Sequence, residues 1–498
     1  MKEKTVVLGF DGMDIRYLED AMEERDLPNF EKLKEEGTLG EMTSVHPPTT
    51  IPAWQCMFTG KNPGKLGIFH FQDLNTETGE FEPYDLTEVY GSFIWDSGIE
   101  TALNFLPSVS PPYEINGRIV EGIPGPKDFR TYPEDLKDDI VNEDELEVFS
   151  KDFNSKMNKS MSYYSTRKKI MRRVMENYEQ DLLVNVYRPT DSVAHFGTSM
   201  EEFYDVYEEM DEELGYYMDR ADEEGFQLFL VADHGANHTE RAFFINTWLE
   251  QKGHLKLNDE GETAEKKLHL RIANRLINLG LRKPLDTAHN LLERFTGVNL
   301  KPDKHSVSEQ VDWDNSQGVA YLIGALPVIG VMLNEEMMDE KELEITKDEI
   351  IEELEKEDAI KWVKTREEVF DGDRVDELPH LIVRGKDNVM MKSMIYPDVE
   401  IKFDKYGHGY AGVFGAYGRH IQHHEDYKCS LLDIAPTLML SLREKIPTDT
   451  DGEALVELFD DDREPSYGNP IQEEVDEEDD DREEKIKSRL EEMGYMRD

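Results

Sequence analysis

The sequence predicts an α/β protein, with a mostly parallel central sheet covered by helices on both faces. Two observations carry that prediction. Residues 5–10, 182–187 and 227–232 are strongly apolar runs, as strands buried on both faces require. The first two are followed by segments with helical periodicity, the alternation expected of parallel strands joined by crossovers. A third observation bears on function: Asp or His stands at or just after the end of each run, where ligands collect in open parallel sheets.

In chain order, the first run ends in Asp11-Gly12, and residues 14–37 follow as a helical region broken near Pro28. Residues 44–71 then carry Pro47-Pro48 in an extended approach and Pro52, which suits the first turn of a helix. Thr49 or Thr50 therefore lies at a helix N-terminus, either as a simple cap or as a nucleophile beside anion-attracting N–H groups. Gly60 to Gly64 ends that helix. Residues 101–106 and 118–120 read as further strands, residues 133–179 as charged helix, and residues 200–224 as an acidic helix. From 240 to about 308 the character changes, and within it residues 266–300 are amphipathic with bases in excess, as expected of an inserted cap. Strand-like sequence returns at 319–333, followed by a charged surface helix at 341–357. The glycine-rich stretch 406–418 is expected to be a loop carrying His408, and residues 431–442 a final helix. The expected catalytic domain is 1–459; residues 460–498, with 17 acids and 6 bases, are expected to be a largely disordered tail.

The net charge is −53, spread over the whole chain. It argues against binding nucleic acid or anionic lipid and fits a halophilic surface screened by concentrated salt. A count of 33 Lys against 23 Arg runs counter to the halophile habit of sparing lysine. Two cysteines are too few for a disulfide framework or a cysteine zinc site. The N-terminus enters a strand directly, and the longest apolar run, 318–333, contains Pro327 and three glycines and falls short of a membrane span. The expected location is the cytoplasm.

Four places put metal-ligating side chains where one edge of such a sheet gathers them: Asp11; Asp191 with His195; Asp233 with His234; and His408. Singly, each has an ordinary explanation, such as a turn, a cap or a loop histidine. The spacing Asp191-x-x-x-His195 places both groups on one face of a helix. Together with a hydroxyl at a helix N-terminus, the set describes a two-metal site with a nucleophile.

The motifs Phe10-Asp11-Gly12, Thr50-x-Pro52 with Thr59-Gly60, Asp191-x-x-x-His195, Asp233-His234-Gly235 and His408-x-x-x-Gly412 resemble the alkaline phosphatase superfamily. The type I phosphodiesterase/nucleotide pyrophosphatase group is the nearest branch, including its archaeal phosphohydrolase/phosphomutase members. The resemblance spans roughly 4–457. It implies one metal held by Asp191, His195 and His408, and a second held by Asp11, Asp233 and His234, with Thr50 bound to it as nucleophile. Zinc is expected ahead of manganese for three Asp and three His. The activity implied is hydrolysis of a small phosphoric ester (nucleotide-, sugar- or lipid-linked) through a phospho-threonine, most simply as a phosphodiesterase. A phosphomutase and a non-catalytic binding protein are the alternatives. One departure stands out: the nucleotide pyrophosphatases have Asn directly after the motif's proline, where this chain has Ala53-Trp54. A sulfatase is disfavoured, because Cys56 lacks the pattern that matures a formylglycine.

Overall fold

Strand β1, Thr5–Phe10, lies at the centre of a nine-stranded sheet in the computed structural model, which describes residues 3–76, 79–122, 129–258, 307–321 and 326–472. Its side chains alternate between two cores. Val6, Leu8 and Phe10 pack on one face, and Val7 on the other. Helices α1 (Ile15–Glu24) and α2 (Pro28–Glu36) follow, then β2 (Thr38–Thr43), α3 (Thr50–Thr59) and α4 (Pro63–Leu66). A short hairpin, β3 (Gln72–Leu74) and β4 (Phe81–Pro83), leads to β5 (Thr101–Asn104), β6 (Gly117–Val120) and β7 (Thr131–Tyr132). Three helices come next, α5 (Leu136–Ile140), α6 (Glu143–Val148) and α7 (Lys156–Asn177). Strand β8 (Leu182–Tyr187), α8 (Pro189–Phe196), α9 (Met200–Glu224) and β9 (Gln227–Val231) complete the parallel centre.

Between β9 and the next strand of the main sheet the chain builds a second lobe. It contains β10 (Gly235–Phe244), α10 (Ile245–Lys252), β11 (Gly318–Tyr321), β12 (Val328–Leu333), β13 (Ile360–Thr365), β14 (Leu381–Gly385), β15 (Val389–Lys392) and β16 (Glu400–Gly409). These form a three-stranded and a four-stranded sheet around a core of their own, centred on Phe243, Trp248, Ile329 and Met391. The chain then returns through β17 (Ala411–Gly418) and β18 (His424–Ser430) to the main sheet, whose order is β18-β2-β17-β9-β1-β8-β5-β6-β7. Pairing is parallel through the centre, and β17 runs antiparallel to both β9 and β2.

The α/β class and the sheet covered on both faces stand as the sequence predicts, with three corrections. The inserted cap was expected at 240–308, but residues 240–252 complete β10 and form α10, and the insertion runs on to β16. The whole amphipathic stretch 266–300 falls within 259–306, which lies outside the described residues. The stretch 406–418 is not a loop; its two halves are the end of β16 and all of β17. Its glycines disguise the strands, and packing demands them: a Cβ at Gly415 would lie 2.8 Å from Leu33 of α2. The tail does not begin at 460, since Arg463 is buried against Glu3, Asp461 and Gln227, and Tyr467–Gly468 pairs with Ile446–Pro447. Residues 473–498 lie outside the described part. Among the described residues no helix is long and apolar enough to cross a membrane.

Candidate metal centre

The carboxyl ends of β1, β8 and β9 lie side by side, because β1 pairs in parallel with both neighbours. Whatever follows each strand is thereby delivered to one edge. Asp11 follows β1 and is fully buried. Its carbonyl accepts from the Thr190 hydroxyl at 2.5 Å, and its amide donates to the Tyr187 carbonyl at 2.9 Å. Gly12 turns the chain with φ of 72°, and a Cβ there would meet Asp191 Cα at 3.0 Å. Its amide donates to Asp233 Oδ1 at 3.1 Å.

After β8, Pro189 opens α8, which carries Asp191 and, one turn on, His195, with Nε2 3.1 Å from Asp191 Oδ1. Beyond β9 come Asp233 and His234, and the Ser44 hydroxyl donates to the Asp233 carbonyl at 2.6 Å. His408 arrives from the far end of the second lobe. Its register opposite Ala236 in β10 sets it beside His234, and the two rings stack at 3.8 Å.

The two stacked histidines are oriented by their backbone contacts. His234 Nδ1 donates to the Gly235 carbonyl at 2.9 Å, and His408 Nδ1 donates to the Pro48 carbonyl at 3.0 Å. With the proton at Nδ1, each Nε2 presents a lone pair, the form that ligates a metal. His408 Nε2 lies 3.0 Å from His195 Nε2 and 3.7 Å from Asp191 Oδ1. His234 Nε2 lies 3.4 Å from Asp233 Oδ2 and 3.7 Å from Asp11 Oδ1. The sequence-predicted ligands thus fall into two groups, Asp191-His195-His408 and Asp11-Asp233-His234, each with its donor atoms within 4.8 Å of one another.

The electrostatics call for cations. Asp11 Oδ1 and Asp233 Oδ2 are buried without a hydrogen-bond partner, and Asp11 Oδ2 and Asp191 Oδ1 are met by Arg188 and His195 at ion-pair distance, an arrangement that costs stability unless further positive charge joins them. Burial pushes the Asp11 carboxyl well above its usual range, and the Asp233 charge adds to the rise. Burial, with Asp191 nearby, also raises Asp233. Burial alone would raise Asp191 too, but His195, Arg188 and His408 outweigh it and hold that carboxyl well below the ordinary range. Burial keeps His234 and His408 neutral, pushing both pKa values down. Oxygen-rich and imidazole-rich donors, two of them orphaned, fit two divalent cations.

Thr50 is the first residue of α3 and is fully buried, with Oγ 3.5 Å from His234 Nε2. Thr49 is the extended cap residue (φ −138°, ψ 148°) and makes no side-chain cap hydrogen bond. Of the remaining histidines, His238 pairs with Asp404, His380 with Glu335 and His424 with the Glu457 carbonyl, all away from the site.

Sequence reasoning missed two residues here. Arg188 places Nε 3.2 Å from Asp11 Oδ2 and Nη2 3.0 Å from Asp191 Oδ2, and so bridges carboxylates of the two groups. Its signal was an arginine directly after an apolar strand, on the ligand-bearing edge. Asp14 caps α1 and accepts from the Ala236 amide at 3.0 Å, which fixes the turn beyond His234. Only the fold could reveal that contact.

A family model described as type I phosphodiesterase/nucleotide pyrophosphatase matches residues 5–411. No curated protein matches the sequence. Among solved structures, human ectonucleotide pyrophosphatase/phosphodiesterase 5 aligns at 15% identity and TM-score 0.55, over 92% of this chain and 100% of its own. The alkaline phosphatase PafA aligns at 15% identity and TM-score 0.56, over 92% and 99%. Phosphonoacetate hydrolase from Sinorhizobium meliloti 1021 aligns at 13% identity and TM-score 0.56, over 89% and 95%. At such identities these likenesses establish a shared, alkaline-phosphatase-like fold. The murine counterpart of the human protein is also known as an inactive threonine-to-alanine variant in complex with AMP.

Proposed function

The chain belongs to the type I phosphodiesterase/nucleotide pyrophosphatase family, and from that premise we propose that it is a metal-dependent hydrolase of phosphoric esters, a phosphodiesterase with Thr50 as its nucleophile. The observation that carries the reading is the pair of ligand groups, two of their carboxylate oxygens orphaned, that meets Thr50 at a helix N-terminus.

Asp191, His195 and His408 would hold one divalent ion, and Asp11, Asp233 and His234 the other. Three imidazoles and three carboxylates suit zinc ahead of manganese. When bound, such ions neutralise phosphoryl oxygens and stabilise charge on the attacking and leaving oxygens. The chain's own part is positioning. The start of α3 presents Thr50 Oγ with backbone N–H groups behind it, an arrangement that attracts a phosphoryl anion. Attack by that oxygen on phosphorus forms phospho-threonine and expels the leaving alcohol; water then cleaves the ester and restores Thr50. Arg188 keeps the Asp11 and Asp191 carboxylates in register and adds positive charge beside the reacting group. The inactive threonine variant of the murine relative supports a threonine in this role.

The test is a panel of phosphodiesters, phosphomonoesters and sulfate esters, assayed after loading with zinc, manganese or magnesium. Turnover led by a diester, abolished by chelation and restored by metal, is expected. Metal-independent turnover, or a preference for sulfate esters, would overturn the reading.

A further inference from the structure

Arginines on α7 are treated unequally. Arg172 is paired with Glu213 at 2.6 Å and Arg173 with Glu145 at 2.6 Å. Arg167 forms no ion pair or hydrogen bond with any described residue, in a chain with 109 acids to 56 bases. Its Nε is shut away from solvent without an acceptor. Its guanidinium lies 4.8 Å from the centre of the Phe105 ring. Burial, with the charge of Arg188 nearby, lowers its pKa to about 10, so it remains a cation at neutral pH. Placing a second cation beside Arg188 costs stability, and no carboxylate among the described residues pairs with it.

Its position supplies the reason. Phe105 follows β5 in the left-handed region, with φ of 59°. Strands β5 and β8 are parallel neighbours with Asn104 opposite Asn185, so Phe105 emerges on the same edge as Arg188. Helix α7 is fixed to that edge twice. Ser160 Oγ bonds Ser192 Oγ of α8 at 2.7 Å, and the Tyr164 ring meets Tyr187, the last residue of β8, at 5.8 Å. Ser108, in the turn after Phe105, also has a buried hydroxyl without a partner. Unpaired hydrogen-bond donors therefore collect at the end of β5, one strand outward from the metal ligands.

We propose that Arg167 and Arg188 form an oxyanion subsite beside the metal centre, one that takes a phosphate or carboxylate group other than the phosphoryl group that reacts. The ligand is either a second anionic group on the substrate or a free inorganic oxyanion. The first source rests on the phosphodiesterase reading; the second does not.

The test uses the metal-loaded enzyme, Arg167→Met and Arg167→Lys. Two matched esters are compared, ethyl 4-nitrophenyl phosphate and its 2-phosphonoethyl analogue, together with thermal melting in sulfate against chloride at equal ionic strength. If the substrate carries the second anion, the kcat/KM ratio favouring the phosphonoethyl ester falls roughly tenfold or more in Arg167→Met and is partly restored in Arg167→Lys. If the ligand is a free oxyanion, that ratio stays fixed while sulfate raises the Tm of the wild type more than that of Arg167→Met. Should neither ester be hydrolysed, the sulfate comparison still decides the subsite, and only the phosphodiesterase reading falls. A ratio and a sulfate response both indifferent to Arg167 would overturn the proposal. A lower Tm for Arg167→Met in chloride, with those two readouts unmoved, would mark Arg167 as a packing residue on Phe105.

Discussion

Thr50 Oγ stands 3.5 Å from His234 Nε2, whereas Thr49 is the last extended residue before the helix. The two hydroxyls are neighbours in sequence in different settings, and if Thr50 is the nucleophile their alanine variants should separate accordingly. Thr50→Ala is expected to lower kcat by roughly a thousandfold or more, and Thr49→Ala by far less. Thr50→Ser should keep measurable turnover, since only a methyl group is lost. Acid-quenched mass spectrometry should find a phosphoryl group on the Thr50 peptide; near-normal turnover by Thr50→Ala would instead mean direct attack by water. Asp233→Asn should bind less metal than the wild type, read by elemental analysis, because it replaces a carboxylate donor with an amide. At this scale the sequence was informative where chemistry and position coincide. Asp11, Asp191 and Asp233 each follow a strand by a few residues, and that alone sets them on one edge. Arg188 carried the same positional signal, but an arginine has too many ordinary surface roles to stand out. Asp14 carried none, for its partner Ala236 is distant in sequence.

Elements were legible in proportion to how far their patterns are local. Strands β1, β8 and β9 are buried along their whole length and mostly apolar because both faces are covered, and they read clearly. Strand β17 hid behind its glycines, and β2 behind a short polar stretch, because what makes them strands is pairing with each other and with β9. The insertion was placed too narrowly because β10 and α10 look like a change of character when they begin a second core. The described chain on either side of 259–306 is held together, where the Asn258 amide donates to the Gln310 carbonyl at 2.9 Å and Leu257 bridges to Val311. A short linker in its place should therefore leave Tm within a few degrees. If the segment is a substrate-selecting cap, KM or substrate preference will shift while a small activated ester is still hydrolysed; kinetics unchanged on every substrate would deny it that role. In β3, burial, with Glu88 and Glu377 nearby, pushes Asp73 up to about 7. A carboxyl raised in the folded state binds its proton more tightly there than in the unfolded chain. Its contribution to stability is therefore lost as pH rises from about 4 towards about 7. Asp73→Asn should raise Tm more at pH 8 than at pH 5, and an equal effect at both would show that the carboxyl titrates normally.

Charge dominates the molecule as a whole. A net −53 over a compact chain is self-repelling, and the repulsion is long-ranged at low salt. Raising KCl from 0.1 M to 1 M shortens the screening length from about 10 Å to about 3 Å, so Tm should climb with KCl; a flat or falling curve would show that local pairing already neutralises the surface. The second lobe leaves the main sheet just after Asp233 and His234 and returns through His408. Its two necks therefore carry the candidate metal ligands Asp233, His234 and His408. The chain's two cysteines, Cys56 and Cys429, are both unpaired and buried, so no disulfide braces the fold. Ions at the two sites would serve as cross-links, one joining Asp11 to Asp233 and the other His195 to His408, the latter pair 213 residues apart. In the chain-entropy view, closing a loop of that length restricts the unfolded state by on the order of 5 kcal/mol. Chelation should then act as reduction does on a secreted protein: the lobe would come loose at its necks, and protease would cut near residues 232–236 and 407–412 before the parallel sheet gives way.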